Sequence, residues 1–142
     1  MINITDAEAA YIAGFLDGDG NINVAYSKNR YRARGQFAVN MSIDQVDPRP
    51  VLWIHGKVGG KLCRIKDKRG GNRRDRVRWY CGSARCEALL LRLMPYLINK
   101  QEKARIALAM RESIKKSRNR PVGGVEYQRR LHLVASSKVY SL

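Results

Sequence analysis

The chain has 142 residues, enough for about one domain whose hydrophobic core needs no disulfides. Its formal charge of +16, from 28 Lys and Arg against 12 Asp and Glu, indicates a polyanionic partner, either nucleic acid or an anionic membrane surface. No apolar segment approaches the roughly 18 residues of a membrane span. The basic residues are spread over segments with strand patterns and do not form one amphipathic helix, which favours nucleic acid and argues against a membrane partner.

The three cysteines, Cys63, Cys81 and Cys86, form no CxxC pair, and neither histidine lies at a metal-ligand spacing from them. The pattern therefore argues against a disulfide framework and against a zinc site. We expect reduced thiols within the core and an intracellular, reducing compartment, either the cytoplasm or an organelle matrix, because no targeting signal is apparent near Met1.

The first predicted helix carries the most informative motif. Thr5 and Glu8 have capping-box spacing, which predicts a helix over residues 6–17. The segment ends in IAGFLDGDG, residues 12–20, which places carboxylates at the negative end of the helix dipole and favours a compensating divalent cation. A bare Asp-Gly-Asp-Gly is also a common helix stop and turn. Gly14 and Gly18 share one helix face, where a second backbone can approach closely.

Beyond Gly20 the pattern changes from helical to alternating. Apolar and polar residues alternate over residues 21–27 and 36–43, which predicts two half-buried antiparallel strands around a basic, aromatic loop at residues 28–35. A short helix from about Pro48 to Lys57 and a second hairpin, with strands over residues 61–66 and 76–82, should follow. Trp53 and Trp79 both fit apolar periodicities and are predicted to lie in the core.

Three further helices are predicted over residues 83–93, 101–116 and 126–136, with Ser83 and Asn99 as candidate N-caps of the first two. The fold class is α+β, an αββαββα order in which helices cover one face of a four-stranded antiparallel sheet. The chain should form a single domain over residues 1–142, with a core at about 5–116, a basic linker at 117–124 and a C-terminal helix at 125–142.

The uncovered, polar face of the sheet is the predicted nucleic-acid surface. Residues 57–80 hold ten Lys and Arg and two Asp, so their net charge of 10 − 2 = +8 is half of the chain's surplus. Alternation nominates as readers of base edges Asn21, Asn23, Ser27, Gln36, Asn40 and Ser42 on the first hairpin, and Arg64, Lys66, Arg76 and Arg78 on the second. Cations of the first loop and of the linker, predicted to contact phosphates, are Lys28, Arg30, Arg32, Arg34, Lys116 and Arg118. Taken one at a time, each of these residues fits a solvent-exposed strand face as well as it fits a DNA contact.

The motif and the order of elements resemble the LAGLIDADG homing endonucleases, with Ile12 to Gly20 in place of the nine letters and a resemblance extending over residues 11–116. The resemblance implies that the second acid, Asp19, binds the catalytic Mg²⁺ together with Gly18, with Mn²⁺ or Ca²⁺ as other candidate cations. It also implies peripheral catalytic roles, in a water network and at the scissile phosphate, for Gln45, Arg49 and Lys100.

Only one copy of the motif is present, so a cut through both strands of a duplex needs two chains. The resemblance implies a twofold homodimer packed through the motif helix, with contacts from Ile12, Ala13, Gly14, Leu16 and Asp17. Such a dimer would bind a long, near-palindromic double-stranded DNA target and make a staggered double-strand cut, as in intron homing. Two alternatives on the same fold stay open: a maturase that binds intron RNA, and a DNA-binding regulator without catalysis.

Overall fold

The structure, a computed structural model, describes residues 2–71, 74–118 and 120–139. In chain order the elements are α1 (Asp6–Asp19), β1 (Gly20–Asn29), β2 (Arg32–Gln45), α2 (Arg49–Val58), β3 (Lys61–Ile65), β4 (Arg76–Gly82), α3 (Ser83–Leu93), a 3-10 turn (Met94–Tyr96), α4 (Gln101–Lys116) and α5 (Gly124–Val139). The predicted αββαββα order and α+β class are confirmed. None of the described helices is both long and apolar enough to cross a membrane.

Helix α1 begins at the predicted capping box. The Glu8 backbone N–H donates to Thr5 Oγ1 at 3.1 Å, and the Thr5 N–H donates to Glu8 Oε1 at 2.9 Å. The helix runs to Asp19 and passes directly into β1 at Gly20. A Cβ at Gly20 would lie 2.6 Å from the Leu16 side chain, so a glycine allows this abrupt change from helix to strand.

The sheet is antiparallel with strand order β1-β2-β4-β3. The buried apolar residues of β1, β2 and β4 alternate onto the side that the helices cover, and they are Ile22, Val24, Phe37, Val39, Met41, Ile43, Trp79 and Cys81. Trp79 is fully buried as predicted, and its Nε1–H donates to the Gly59 carbonyl at 2.7 Å. The core therefore lies between one sheet face and the helices, and the other face stays open.

The first hairpin is longer than predicted. The expected loop at residues 28–35 is mostly strand, because β1 continues to Asn29 and β2 begins at Arg32. Between the pairs Ser27↔Gln36 and Asn29↔Arg32, β2 holds two more residues than β1, which forms a bulge. Gly35 lies in this bulge with φ of 70°, and a Cβ there would meet the Tyr26 ring at 2.4 Å. The basic residues of the expected loop are thus displayed on an extended two-stranded arm.

Two core predictions were wrong. Trp53 is 37% exposed and packs edge-on against Tyr11, with ring centroids 5.0 Å apart. Cys63 is exposed, whereas Cys81 and Cys86 are buried as expected, and all three thiols are free. The buried face of α2 is formed by Val51, Ile54 and Val58, and Trp53 lies outside that stripe. The apolar residues of β3 fall on both faces, so their pattern does not assign Cys63 to the core.

The two predicted N-caps of α3 and α4 were also wrong. Gly82 precedes α3, and Ser83 is the first helical residue, with φ of 54° and no side-chain cap bond. Lys100 precedes α4, and the side chain of Asn99 does not cap it. A carboxylate from a distant helix replaces the Asn99 cap, as described below.

Helix α5 packs on α4 and on the first hairpin. Its Arg130 is buried, donates to Ser113 Oγ at 2.7 Å and to the Ser113 carbonyl at 2.9 Å, and lies 5.5 Å above the Phe37 ring. Burial lowers the pKa of Arg130. Tyr127 packs against Tyr26 and Phe37. The predicted terminal helix is therefore a support for the hairpin arm, and residues 140–142 of that prediction lie outside the described residues.

Candidate nucleic-acid interface and catalytic centre

The polar residues predicted on the first hairpin share the open face of the sheet. The register pairs Asn21 with Ser42, Asn23 with Asn40, and Ser27 with Gln36, so these side chains lie in two adjacent rows. The open face continues onto β4, where Tyr80 lies beside Ser42. A groove of about 750 Å³ crosses the second hairpin and is lined by residues that include Asn40, Ser42, Lys61, Cys63, Arg78 and Tyr80.

On the second hairpin the structure separates the predicted arginines. Cys63 pairs with Arg78, and Arg64 pairs with Val77, so Arg64 lies on the opposite face from Arg76 and Arg78. Lys66 lies beyond the end of β3, so its predicted place in the strand is wrong as well. The basic residue that β3 does contribute to the groove is Lys61, which the sequence interpretation missed. Leu62 and Ile65, the apolar residues of β3, are three positions apart and lie on opposite faces, so their spacing does not indicate which face is buried.

The arm carries its own cations. Lys28, Arg30 and Arg32 are exposed near its end, next to Tyr31, which is 86% exposed. Arg34 is different, because the Gly35 bulge turns it toward α5. Its guanidinium donates to the Val122 carbonyl and lies 5.7 Å from the Tyr127 ring. Arg34 therefore connects the arm to the segment that leads into α5, and its predicted phosphate contact stays a prediction.

The two later cations belong to the helical side of the molecule. Lys116 lies in the last turn of α4 and pairs with Glu112 Oε1 at 3.1 Å. Arg118 is exposed just after that helix. Because α4 packs on the covered face of the sheet, neither residue extends the polar rows of the open face.

Asp19 lies at the exposed end of α1, where that helix meets the open face of the sheet. Gln45 Nε2 donates to Asp19 Oδ2 at 2.9 Å, so the structure brings together two of the residues predicted for catalysis. Both line a pocket of about 530 Å³, whose other lining residues are Asn21, Ser42, Asp44, Val46, Asp47, Arg76 and Arg78. The sequence analysis did not single out the two further carboxylates, Asp44 and Asp47, because Asp in a strand or turn carries no signal of its own.

Asp17 faces the other way. Its carboxylate accepts the backbone N–H groups of Ile98 at 2.7 Å, Asn99 at 3.2 Å and Lys100 at 3.0 Å. Lys100 Nζ donates to the Asp17 carbonyl at 2.8 Å, which places the lysine at the negative end of α1. Asp17 thus holds the residues that precede α4, and its predicted role as a direct dimer contact is replaced by this bond within the chain.

Lys103 is a buried cation that the sequence analysis missed. It is 4% exposed, and its Nζ donates to Asn21 Oδ1 at 3.3 Å, beside the Asp19 pocket. Burial, and then the charge of Lys100, lower the pKa of Lys103. Its position one turn after Lys100 on α4 was a signal present in the sequence.

Arg49 does not bind Asp19. It forms an ion pair with Asp47 at 2.6 Å, and its side chain is 86% exposed at the rim of the pocket. The Arg49 guanidinium, and then its backbone N–H, lower the pKa of Asp47 to about 2. The described residues contain no group of three His, Cys, Asp or Glu side chains placed to hold a metal ion. Within the described residues of one chain, Asp19 therefore supplies only part of the set of oxygen ligands that a metal ion needs.

The motif helix presents a different face from the one predicted for dimer contacts. Ile12, Ala13 and Leu16 are fully buried within the chain, so a partner cannot touch them, and this part of the prediction was wrong. Their helical spacing places them on the face of α1 that packs against the rest of the chain. The outward face is lined by small residues and one aromatic ring: Ala7, Ala10, Tyr11, Gly14 and Gly18.

Known structures supply an independent comparison. No protein-family model matches the sequence, and a search of curated proteins finds no significant match. Structural similarity is strong. The homing endonuclease I-CvuI, in complex with its target, superposes with a TM-score of 0.77 at 19% identity, covering 95% of this chain and 82% of that one.

Two further structures extend this result. The archaeal intron-encoded homing endonuclease I-Vdi141I, complexed with DNA, gives a TM-score of 0.79 at 15% identity over 96% of this chain and 86% of that one. The LAGLIDADG homing endonuclease I-SmaMI, bound to cleaved DNA, gives 0.67 at 19% identity over 96% of this chain but only 43% of that one. The chain spans most of I-CvuI and I-Vdi141I but less than half of I-SmaMI, and it therefore has the fold of a single-motif LAGLIDADG homing endonuclease.

Proposed function

We propose that this protein is a homing endonuclease that binds a long, near-palindromic double-stranded DNA target as a homodimer and makes a staggered double-strand cut by metal-dependent hydrolysis. The observation that carries the proposal is the position of Asp19. Its carboxylate is exposed at the end of the motif helix, bonded to Gln45, at the point where the polar face of the sheet begins.

The open face supports duplex binding. Amide and hydroxyl side chains form two adjacent rows on β1 and β2, and guanidinium groups follow on β4. A two-stranded ribbon fits the major groove, where such groups discriminate base pairs. I-CvuI and I-Vdi141I were both solved in complex with DNA, and both share this fold. The net charge of +16 supplies attraction to the phosphates.

The donor set around Asp19 fits a hard divalent cation. An exposed carboxylate at the negative end of a helix attracts a cation, and the Gly18 carbonyl is a second oxygen ligand of the kind that Mg²⁺ accepts. I-CvuI complexes were solved in the presence of Ca or Mg. When bound, Mg²⁺ activates a water molecule and stabilises negative charge on the scissile phosphate.

Residues of the chain itself orient the reaction. Gln45 holds one oxygen of Asp19 through its amide and leaves the other oxygen available to a ligand. Lys100 Nζ donates to the Asp17 carbonyl and Lys103 Nζ donates to the Asn21 side chain, so two ammonium groups are bound to the residues on either side of Asp19 in sequence. Their positive charge stabilises the additional negative charge that hydrolysis develops on a phosphate. Arg49 supplies a further cation at the pocket rim once DNA competes with Asp47.

The outward face of α1 supports a homodimer. Ideal Cβ atoms at Gly14 and Gly18 would meet nothing within 4 Å, so packing inside the chain does not require glycine at either position. A partner helix that approaches closely does require it. Tyr11 on this face is 45% exposed, and two further exposed apolar residues lie on segments that contact α1: Leu52 of α2 at 49%, and Ile98, whose N–H bonds to Asp17, at 90%. A twofold contact through α1 would bring two Asp19 carboxylates near one another and complete the oxygen site.

The decisive experiment removes the Asp19 carboxylate. Asp19→Asn should reduce cleavage of a bound duplex at least about a thousandfold and change the DNA Kd by less than about tenfold, because the amide keeps the shape but loses the anionic metal ligand. Targets are obtained by selection from a random duplex library in Ca²⁺, and cleavage is then measured in Mg²⁺.

The matched control is Asp6→Asn, which neutralises an exposed acid at the opposite end of the same helix and should leave cleavage unchanged. Cleavage by the Asp19→Asn variant would contradict the assignment. A wild-type protein that selects no duplex would contradict DNA binding itself.

The dimer is tested at Gly14. Gly14→Leu should shift the protein from dimer to monomer in sedimentation and remove double-strand cleavage with it, because the added side chain separates the two helices. Ala135→Leu, on the exposed surface of α5, is the control and should leave the dimer intact. A wild-type monomer that cuts both strands would refute the interface.

A further inference from the structure

Asp44 is an acid on the surface proposed to bind a polyanion. Its negative charge opposes DNA binding there, so its presence calls for a functional reason. It lies on β2 directly opposite Arg78 of β4, on the open face of the sheet. Its side chain is 19% exposed, and it neighbours Gln45, which bonds to Asp19. Asp44 is thus close to the candidate catalytic centre without contacting Asp19.

The Asp44 carboxylate holds two arginines. Arg78 Nε donates to Oδ1 at 2.7 Å, and Arg78 Nη2 donates to Oδ2 at 2.9 Å. Arg76 Nη1 lies 3.6 Å from Oδ2. Hydrogen bonds from the Arg78 guanidinium lower the pKa of Asp44 most, and the charge of Arg76 lowers it further. Burial acts in the opposite direction and raises this pKa. Asp44 therefore stays ionised and keeps both guanidinium groups in place.

The geometry of the Arg78 bond determines what the arginine can still do. A side-on pair uses the Nε–H and one Nη2–H, which leaves the end of the fork, with Nη1–H and the second Nη2–H, available. Two parallel donors at that end match the O6 and N7 acceptors of guanine in the major groove. Arg78 lines both the groove and the pocket of Asp19, so a base that it contacts lies near the cut.

We infer that Asp44 is a specificity-determining residue, a positioning residue that holds Arg78 so that its free fork reads a guanine in each half-site close to the cleavage centre. This inference rests on the proposed function. Without Asp44, the same arginine would be mobile and would contact phosphates and bases indiscriminately. The acid lowers affinity for DNA in general and raises selection of one base in particular.

The test is selection and quantitative binding with randomised duplexes, using the full-length protein in Ca²⁺. The wild type should favour guanine at one symmetric pair of positions near the centre by about 5- to 150-fold, the range that one bidentate contact supplies. Asp44→Asn should reduce that preference about tenfold at that pair alone, and should bind scrambled duplexes equally well or better. Arg78→Lys keeps the charge but not the fork, and should relax the same base pair.

A matched control is Asp75→Asn. Asp75 holds Arg64 through the same pair of donors, at 3.1 Å and 2.7 Å, but on the opposite face of the sheet. It should leave base preference unchanged. Thermal melting of each variant checks that it is folded. If Asp44→Asn and Arg78→Lys change different positions, or neither changes any, Asp44 has no role in specificity although the protein binds DNA. If the wild type selects no sequence, the proposed function fails first.

Discussion

The two hairpins of the sheet share one open face but present different chemistry to it. The first displays neutral amides and hydroxyls in two matched rows, with free cations only near its end. The second displays Arg76 and Arg78 to it, and Asp44 holds Arg78 there. Carboxylates also hold arginines of this hairpin away from the open face: Asp75 holds Arg64 on the opposite face, and Asp67 holds Arg69 beyond the end of β3. Regular alternation produces the first surface. Ion pairing across strands and turns produces the second, and it decides which arginines remain available to DNA.

The largest expected difference between the hairpins is the free energy of unfolding that is lost when one glycine in each is replaced by alanine. Gly35→Ala should lower the free energy of unfolding by about 2–4 kcal/mol, because φ of 70° disfavours an L-residue and the new Cβ would overlap the Tyr26 ring. Gly70→Ala, at φ of 73° with nothing within 4 Å, should cost only about 1 kcal/mol. Urea unfolding measures both. Equal costs would show that the bulge does not fix the first arm.

A smaller effect should separate the hairpins in DNA binding. Arg76→Ala removes a cation as well as a candidate base contact, so it should weaken both target and scrambled duplexes, the target more, and reduce the salt slope by about one unit. Asn40→Ala should leave the salt slope unchanged and weaken only the target, by about 1–3 kcal/mol. Titrations at several salt concentrations check both variants. An unchanged slope for Arg76→Ala would mean that Asp44 already neutralises it.

The smallest expected difference is in the stability of the two hairpins at low pH. Partners lower the pKa of Asp44 (first Arg78), Asp67 (first Arg69) and Asp75 (first the Asp67 backbone N–H), while residues 20–43 contain no Asp or Glu. A lowered folded pKa contributes stability above the unfolded value of 3.8, and that stability is lost as pH falls through the folded pKa. Amide protection should therefore fall in β3 and β4 first as pH drops below about 4.

Hydrogen exchange by NMR, corrected for the intrinsic rate at each pH, measures that order. The control is the Ser27 to Gln36 region of the first hairpin, whose protection should persist to lower pH. Simultaneous loss in both hairpins would show that the sheet unfolds as one unit and that the carboxylates add nothing local.

Sequence patterns predicted those features that depend on neighbouring residues. The capping box at Thr5 and the alternation of the first hairpin follow from local geometry, and both were confirmed. The family resemblance singled out Gln45, and the structure brings its amide within hydrogen-bond distance of Asp19, while its catalytic role stays a prediction. The face occupied by Arg64 was not predictable, because Leu62 and Ile65 lie on opposite faces of β3 and the strand shows no alternation.

The sequence by itself determined the α+β order, the basic open sheet and the position of Asp19 at the end of the motif helix. Only the tertiary structure decided how neighbouring acids divide their tasks, because Asp17 and Asp19 look alike in a pattern. Asp17 is surrounded by the N–H groups that precede α4, which lie far away in sequence. Asp44 and Lys103 likewise acquire their partners across strands and between layers, where distance in space is unrelated to distance along the chain.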